Sequence, residues 1–279
     1  MLDKFLIEDI IKNALREDMN GGDITSDYLI DKLSIGKGII TSKEEGIICG
    51  LDIAELVFST LDSTLTFTKL KKDGDMVTKG EDIATIEGSL FSILKGERVA
   101  LNFLQRMSGI ASKSRIFADR VKEYKVRVVD TRKTTPGLRV FEKYSVKIGG
   151  CFNHRHNLSD AVMIKDNHII AAGGIKQAVE KLRKNIPHTT KIEVEVKNLE
   201  ELQVALDLNT DIIMLDNMSI ENMKKAVNIT KGKAILEASG NVTEENVIEI
   251  AKTGVDIISV GALTHSVKSL DISLNILNL

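Results

Sequence analysis

What this 279-residue chain has little of already narrows the field. It has two cysteines, Cys49 and Cys151, far apart and with no CxxC, so it offers neither a disulfide framework nor a zinc ribbon. They read as two reduced thiols of a cytoplasmic protein. No apolar run approaches the ~18 residues of a membrane span, which argues against a membrane partner. The N-terminus, MLDKFLIEDIIKNALREDMN, lacks a basic start and a continuous apolar core, so it is not expected to be a signal peptide. Lys+Arg total 38 and Asp+Glu 40, a formal net charge of -2 without the basic surplus of a nucleic-acid binder. What remains is ordinary for a globular protein: 43% hydrophobic and 28% charged residues exclude disorder.

The N-terminus reads as an amphipathic helix with Phe5, Leu6, Ile10, Ala14 and Leu15 inward. Short β-like runs follow, GKGIITS, GIICG, TLTFTKL and DIATIEG, with a helix over residues 51–61 between them. This predicts a small α+β domain with a mostly antiparallel sheet. A helical stretch over residues 96–124 comes next, with Gly109 marking a break or kink. From residue 126 the rhythm changes to apolar strand, loop, helix. The strands are VRVVDT, DAVMIK, KIEVEV, DIIMLD, AILEAS and VDIISVG. Such alternation predicts right-handed βαβ units, a parallel sheet and an incomplete (β/α) barrel, with an open doubly wound sheet as the alternative. No GxGxxG follows the first of these strands, so a dinucleotide fold lacks support. The expected domains are residues 1–112 and 113–265, with residues 266–279 packing back on the first.

Barrels place their chemistry at the C-terminal strand ends. The first strand here runs from Thr131 into Arg132 and Lys133, and the second ends in Lys165. With Arg155 these make a converging cationic pocket for an anionic substrate. Glu193 and Glu195 alternate onto one face of the third strand, and the fourth ends in Asp216. Glu195 and Asp216 suit sugar hydroxyls or Mg2+. Ser239-Gly240-Asn241 and Gly261-Ala262-Leu263, each read as preceding a helix, offer backbone N–H groups to a phosphate. Residues 127–168 hold eight Lys or Arg against four Asp or Glu, a cationic stretch hidden inside the near-zero total. His154, His156 and His168 lack an HExxH register, which argues against a zinc site.

The segment DTRKTTPGLRVFEKYSVKIGGCFNHRHNLSDAVMIKDNH resembles the signature of the quinolinate phosphoribosyltransferase family, the carboxylating nicotinate-nucleotide pyrophosphorylases. EDMNGGDITSD, GERVALNFLQRMSGIAS, IEVEV, IIMLDNMS, LEASGNV and VDIISVGALTHS follow the family's order, so the resemblance covers nearly the whole chain. It implies an N-terminal α/β sandwich plus an incomplete barrel. It implies phosphoribosyl transfer from phosphoribosyl pyrophosphate to quinolinate, giving nicotinate mononucleotide, pyrophosphate and CO2, with Mg2+ required. It also implies a homodimer or larger oligomer with shared active sites. Matched residue by residue, Arg132, Lys133, His154, Arg155 and Lys165 surround the quinolinate carboxylates, and Arg98 reaches in from the partner subunit. Glu195 and Asp216 hold ribose hydroxyls and Mg2+, directly or indirectly. Ser239 to Asn241 and Gly261 to Leu263 cradle the 5′-phosphate, with His265 just beyond. Lys133, Lys165, Glu195 and Asp216 are the expected catalytic set.

Two positions depart from the family pattern: Asn241 where SGG is usual, and Ser145 where EKYAV is usual. Asn is the non-glycine residue that best tolerates positive φ, so the loop can survive. Competing readings are a relative that takes nicotinate, a Schiff-base lyase using Lys165, and a non-catalytic metabolite sensor. The cation count favours a dicarboxylate over nicotinate. Asp166, Asn167 and His168 beside Lys165 disfavour a Schiff base. The full complement of charged residues argues against a sensor.

Overall fold

The structure, a computed structural model, describes residues 2–277. The chain divides into two compact units. The first takes the residues up to Arg115, then Thr135–Gly150, then the residues from Ser266; the second takes Ile116–Thr134 and Cys151–His265.

In chain order, the first unit begins with α1 (Lys4–Asp18), α2 (Ile24–Leu29), β1 (Ile35–Ser42), β2 (Gly46–Ile47) and α3 (Leu51–Leu61). It continues with β3 (Thr66–Lys69), β4 (Met76–Val77), β5 (Asp82–Ser89) and most of α4 (Leu90–Val121). The second unit starts with β6 (Arg127–Val129), after which α5 (Arg139–Ile148) belongs to the first unit again. The second resumes with β7 (Val162–Ile164), α6 (Asp166–Ala172), α7 (Ile175–Arg183), β8 (Ile192–Val196) and α8 (Leu199–Asp207). It ends with β9 (Ile212–Asp216), α9 (Ile220–Thr230), β10 (Ile235–Ser239), α10 (Val247–Ala251), β11 (Ile257–Ser259) and α11 (Ala262–His265). The last strand, β12 (Ile272–Ile276), lies in the first unit.

In the first unit an antiparallel sheet in the order β12-β1-β5-β3 carries the core. Ile40, Ile83 and Ile86 are fully buried on it, as are Ala54 and Val57 of α3. Helix α1 turns Ile7, Ile11 and Leu15 inward, and Ile10 and Ala14 pack partly buried beside them. Phe5 and Leu6, expected inward, are exposed instead. At 100° per residue Phe5 lies about 160° round the helix from Ile7, so a stripe centred on Ile7, Ile11 and Ala14 leaves it in solvent. Helix α3 has no side-chain cap of its own. Asp73 supplies one from 22 residues away, accepting from the Leu51 N–H at 3.1 Å and the Gly50 N–H at 3.0 Å, and from the Tyr144 hydroxyl at 2.9 Å.

Two expectations need correction here. Helix α4 starts earlier than predicted and runs without a break through Gly109. A Cβ at that position would lie 2.3 Å from the Lys268 carbonyl oxygen, so the glycine serves a close crossing rather than a kink. Residues 135–150 were assigned to the barrel but pack in the first unit. There the Phe141 ring sits 5.0 Å from that of Phe103, and Tyr144 is bound to Asp73. Apolar contacts of α5 decide its home, and strand periodicity carries no information about them. The residues from Ser266 join the first unit through β12, which pairs antiparallel with β1.

The second unit is a six-stranded, all-parallel sheet in the order β6-β11-β10-β9-β8-β7, with helices between strands. An isolated bridge from Val129 to Phe152 extends it by one short segment, and among the described residues β7 pairs only with β8, so the ring stays open. This is the incomplete barrel. Along β8, β9 and β10 one parity is apolar and buried: Val194 and Val196, Ile213 and Leu215, Leu236 and Ala238. The opposite parity holds Glu193 and Glu195, Met214 and Asp216, Glu237 and Ser239. Register sets Asp216 beside Ser239 and Ser239 beside Ser259. The strands thereby deliver acids and hydroxyls to one place.

Candidate active site

A cavity of about 830 Å³ opens at the C-terminal strand ends of the second unit. It is lined by Thr131, Arg132, Lys133, His154, Arg155, Lys165, Glu195, Asp216, Ser239, Gly240, Asn241, Gly261, Ala262 and His265, fourteen of the sixteen residues expected from sequence. Leu263 is the correction: its side chain is fully buried on α11 and its N–H donates to Val260 O, so it cannot line the site. Arg98 lies on the exposed face of α4 in the first unit. Arg139, Lys143 and Lys147, counted in the cationic stretch, sit on α5 in the first unit. Of the Lys and Arg in that stretch, the cavity therefore keeps Arg132, Lys133, Arg155 and Lys165.

Arg155 is positioned by its neighbours. Its Nη1 donates to Ala161 O at 2.7 Å. Burial first, and then the Arg132 charge, pull its pKa below the usual value. Two like-charged guanidinium groups in a half-buried pocket suit an anionic ligand. The loop carrying Arg155 hangs on Asp130, a fully buried carboxylate that sequence reasoning passed over. It accepts from the Asn153 amide at 2.6 Å and from the His154 N–H at 2.8 Å.

His154 sits between two buried acids, its Nε2 3.4 Å from Glu193 Oε2 and 3.3 Å from Glu237 Oε2. Burial favours the neutral ring, but hydrogen bonds and charge from Glu193 and Glu237 outweigh it and lift the pKa to about 10. The Arg155 N–H approaches Nδ1 to 2.7 Å, which by itself favours a neutral Nδ1; one amide does not outweigh two carboxylates. Burial, more than its neighbours, pushes Glu193 upward. Oε1 of Glu193 and of Glu237 are buried without a hydrogen-bond partner. These three side chains place ligand atoms within 4.8 Å of one another. A proton on His154 already serves as their cation, so the group reads as an ion-pair cluster beneath the pocket. The sequence places Glu237 at the end of the fifth strand but assigns it no role, because a single acid inside an apolar strand gives no motif. His168 is an acceptor for the Lys165 N–H at 3.0 Å and caps α6.

Glu195 and Asp216 face the same cavity. Burial, then the Asp216 charge, holds the Glu195 carboxyl above its usual range. Two mutually repelling carboxylates are an oxygen-only donor set for a hard divalent cation. Beside them in the cavity, the N–H groups of Gly240, Asn241, Gly261 and Ala262 have no acceptor within the chain among the described residues. The 239–241 loop does not open a helix as expected, because α10 begins only at Val247. Loop amides at positive φ, not a helix end, present the donors there.

Cations, paired acids and free amides around one cavity define a barrel enzyme for a phosphorylated, anionic small molecule. Family models described as quinolinate phosphoribosyl transferase, N-terminal and C-terminal domains, match residues 23–108 and 110–275. The chain belongs to the quinolinate phosphoribosyltransferase family. It is 46% identical to the probable carboxylating nicotinate-nucleotide pyrophosphorylase of a Synechocystis species, covering 97% of this chain and 92% of that one. It is 43% identical to the protein of the same name from Bacillus subtilis, over 97% and 93%. The crystal structure of NadC from Streptococcus pyogenes superposes with a TM-score of 0.95 at 42% identity, over 100% of this chain and 99% of that one. No helix among the described residues is long and apolar enough to cross a membrane.

Proposed function

We propose that this chain transfers the phosphoribosyl group of phosphoribosyl pyrophosphate to quinolinate, releasing pyrophosphate and CO2 and leaving nicotinate mononucleotide, in de novo NAD synthesis. The observation that carries the reading is a single cavity that holds the like-charged Arg132 and Arg155 together with four free amides. Arg132, Lys133, His154, Arg155 and Lys165 form the dicarboxylate end. Gly240, Asn241, Gly261 and Ala262 take the 5′-phosphate, with Ser239 and His265 beside them. Glu195 and Asp216 hold the ribose hydroxyls and Mg2+, which when bound neutralises charge on the departing pyrophosphate.

The chemistry needs no side-chain nucleophile. The C1′–O bond breaks with its electron pair leaving on pyrophosphate, and the Glu195 and Asp216 carboxylates stabilise the positive sugar carbon. The quinolinate nitrogen lone pair forms the C1′–N bond. The ring nitrogen, now cationic, draws in the electron pair of the adjacent C–COO⁻ bond, CO2 leaves, and the ring carbon takes up a proton. Lys133 and Lys165 hold the carboxylates and pyrophosphate oxygens in line. Arg98 completes the cavity of a partner subunit in a homodimer or larger assembly. Two buried cysteines outside any CxxC pair fit a cytoplasmic enzyme.

The test is purified protein with quinolinate, phosphoribosyl pyrophosphate and Mg2+, following nicotinate mononucleotide. Product is expected with quinolinate and not with nicotinate. Acceptance of nicotinate with no reaction of quinolinate overturns the substrate assignment.

A further inference from the structure

Two loops of the cavity are tied together by a relay of asparagines. Asn241 Nδ2 donates to Asn217 Oδ1 at 3.0 Å, and Asn217 Nδ2 donates to Asp216 Oδ1 at 2.9 Å. The direction is fixed by chemistry. An ionised carboxylate only accepts, so the Asn217 NH2 must face Asp216 and its oxygen must face Asn241. The backbone supports the relay: the Asn217 N–H donates to Ser239 O at 2.9 Å, and Asn246 Nδ2 donates to Asn241 O at 2.9 Å. Asn217 and Asn241 both have φ +51, and Gly240 between the loops has φ +97. A Cβ on Gly240 would lie 2.2 Å from Asn217 Oδ1, so the loops meet with no spare room. Backbone held in the left-handed region at several adjoining positions marks a segment whose shape is over-determined by its surroundings.

The relay joins two groups that the proposed reaction uses separately. Asn241 belongs to the loop of free amides, and Asp216 to the acid pair. We propose that Asn241 is a positioning residue: through Asn217 it orients the Asp216 carboxylate, so that seating a phosphate on the 239–241 loop and holding a divalent cation at Asp216 are coupled. This rests on the reading of the cavity given above. It also gives a reason for an asparagine at a position whose positive φ glycine would satisfy more easily. The side chain, absent from glycine, makes the link.

The experiment uses Asn241→Gly and Asn217→Gly in the full chain. Glycine accepts φ +51, so both variants fold, with thermal midpoints near that of the wild type. Titration calorimetry with ribose 5-phosphate, with and without Mg2+, is the readout independent of turnover. In the wild type, saturating Mg2+ tightens ribose 5-phosphate by about threefold or more, and in either variant the two affinities differ by less than about twofold. The affinity without Mg2+ stays within about threefold of wild type in Asn241→Gly, because the backbone amides remain. With the natural substrates, kcat falls about five- to tenfold and half-saturating Mg2+ rises, the order of one lost hydrogen bond. The double variant loses no more than the worse single one, since one relay is broken once or twice. Wild-type coupling retained in Asn241→Gly, no coupling in the wild type, or additive losses in the double variant overturns the proposal. A wild-type protein that shows the coupling but makes no nicotinate mononucleotide refutes the substrate assignment and leaves the relay standing.

Discussion

Replacing His154 with Gln removes a positive charge that touches both Glu193 and Glu237. The magnitude follows from the pKa. A rise from 6.5 to about 10, at about 1.36 kcal/mol per unit, corresponds to about 5 kcal/mol of preference for the charged ring in the folded protein. Breaking a buried ion pair by removing one partner costs about 3–5 kcal/mol, in agreement. The sign fixes the pH window. A raised histidine pKa contributes stability that is complete below the unfolded value near 6.5 and is lost as pH climbs through 10. In the variant, the two bare carboxylates relieve their repulsion by taking a proton at low pH, as the raised pKa of Glu193 anticipates. The stability difference between wild type and His154→Gln is therefore largest near pH 7 and shrinks toward both pH 5 and pH 9.5. Urea unfolding at the three pH values measures it. A difference that is flat with pH, or below about 1 kcal/mol at pH 7, refutes the ion-pair reading of this cluster.

Other outcomes follow from single contacts. Gly109→Ala improves helix propensity by about 1 kcal/mol yet drives a methyl into the Lys268 carbonyl; thermal melting is expected to show a net loss of about 1–3 kcal/mol. Asp73→Ala removes the remote cap of α3 and the Tyr144 partner, a loss of about 2–4 kcal/mol. The Tyr144 phenol, held well up by burial and by the Asp73 charge, should titrate lower by ultraviolet absorbance. Arg155→Ala should weaken quinolinate by about tenfold to a hundredfold while phosphoribosyl pyrophosphate changes little; equal losses in calorimetry count against its role. Mixing inactive Arg98→Ala with inactive Lys165→Ala protein should restore activity if subunits share sites, and inactive mixed dimers would sink that assignment.

The barrel strands were legible because each is a short apolar run with a charged or small residue at its end, and that end is where a barrel puts its chemistry. Helix α3 was legible to the residue for a similar reason, bounded by Gly50 and Asp62. The sequence misled where one residue type serves two purposes. Gly109 looks like a helix breaker and is a point of close crossing. Leu263 looks like part of an amide loop and is a core side chain. Phe5 looks like a core residue and faces solvent.

Residue types at strand ends set, from the sequence alone, which ligand charges the proposed site suits, since guanidinium, carboxylate and small loop residues each select a ligand charge wherever they stand. Tertiary structure alone decided which of those charges meet. It removed Arg139, Lys143 and Lys147 from the cationic count by placing α5 in the other unit. It put Glu237 under His154, and it joined Asn241 to Asp216 through Asn217. Pairings between residues tens of positions apart depend on strand register and loop closure, and nothing in the local sequence encodes them.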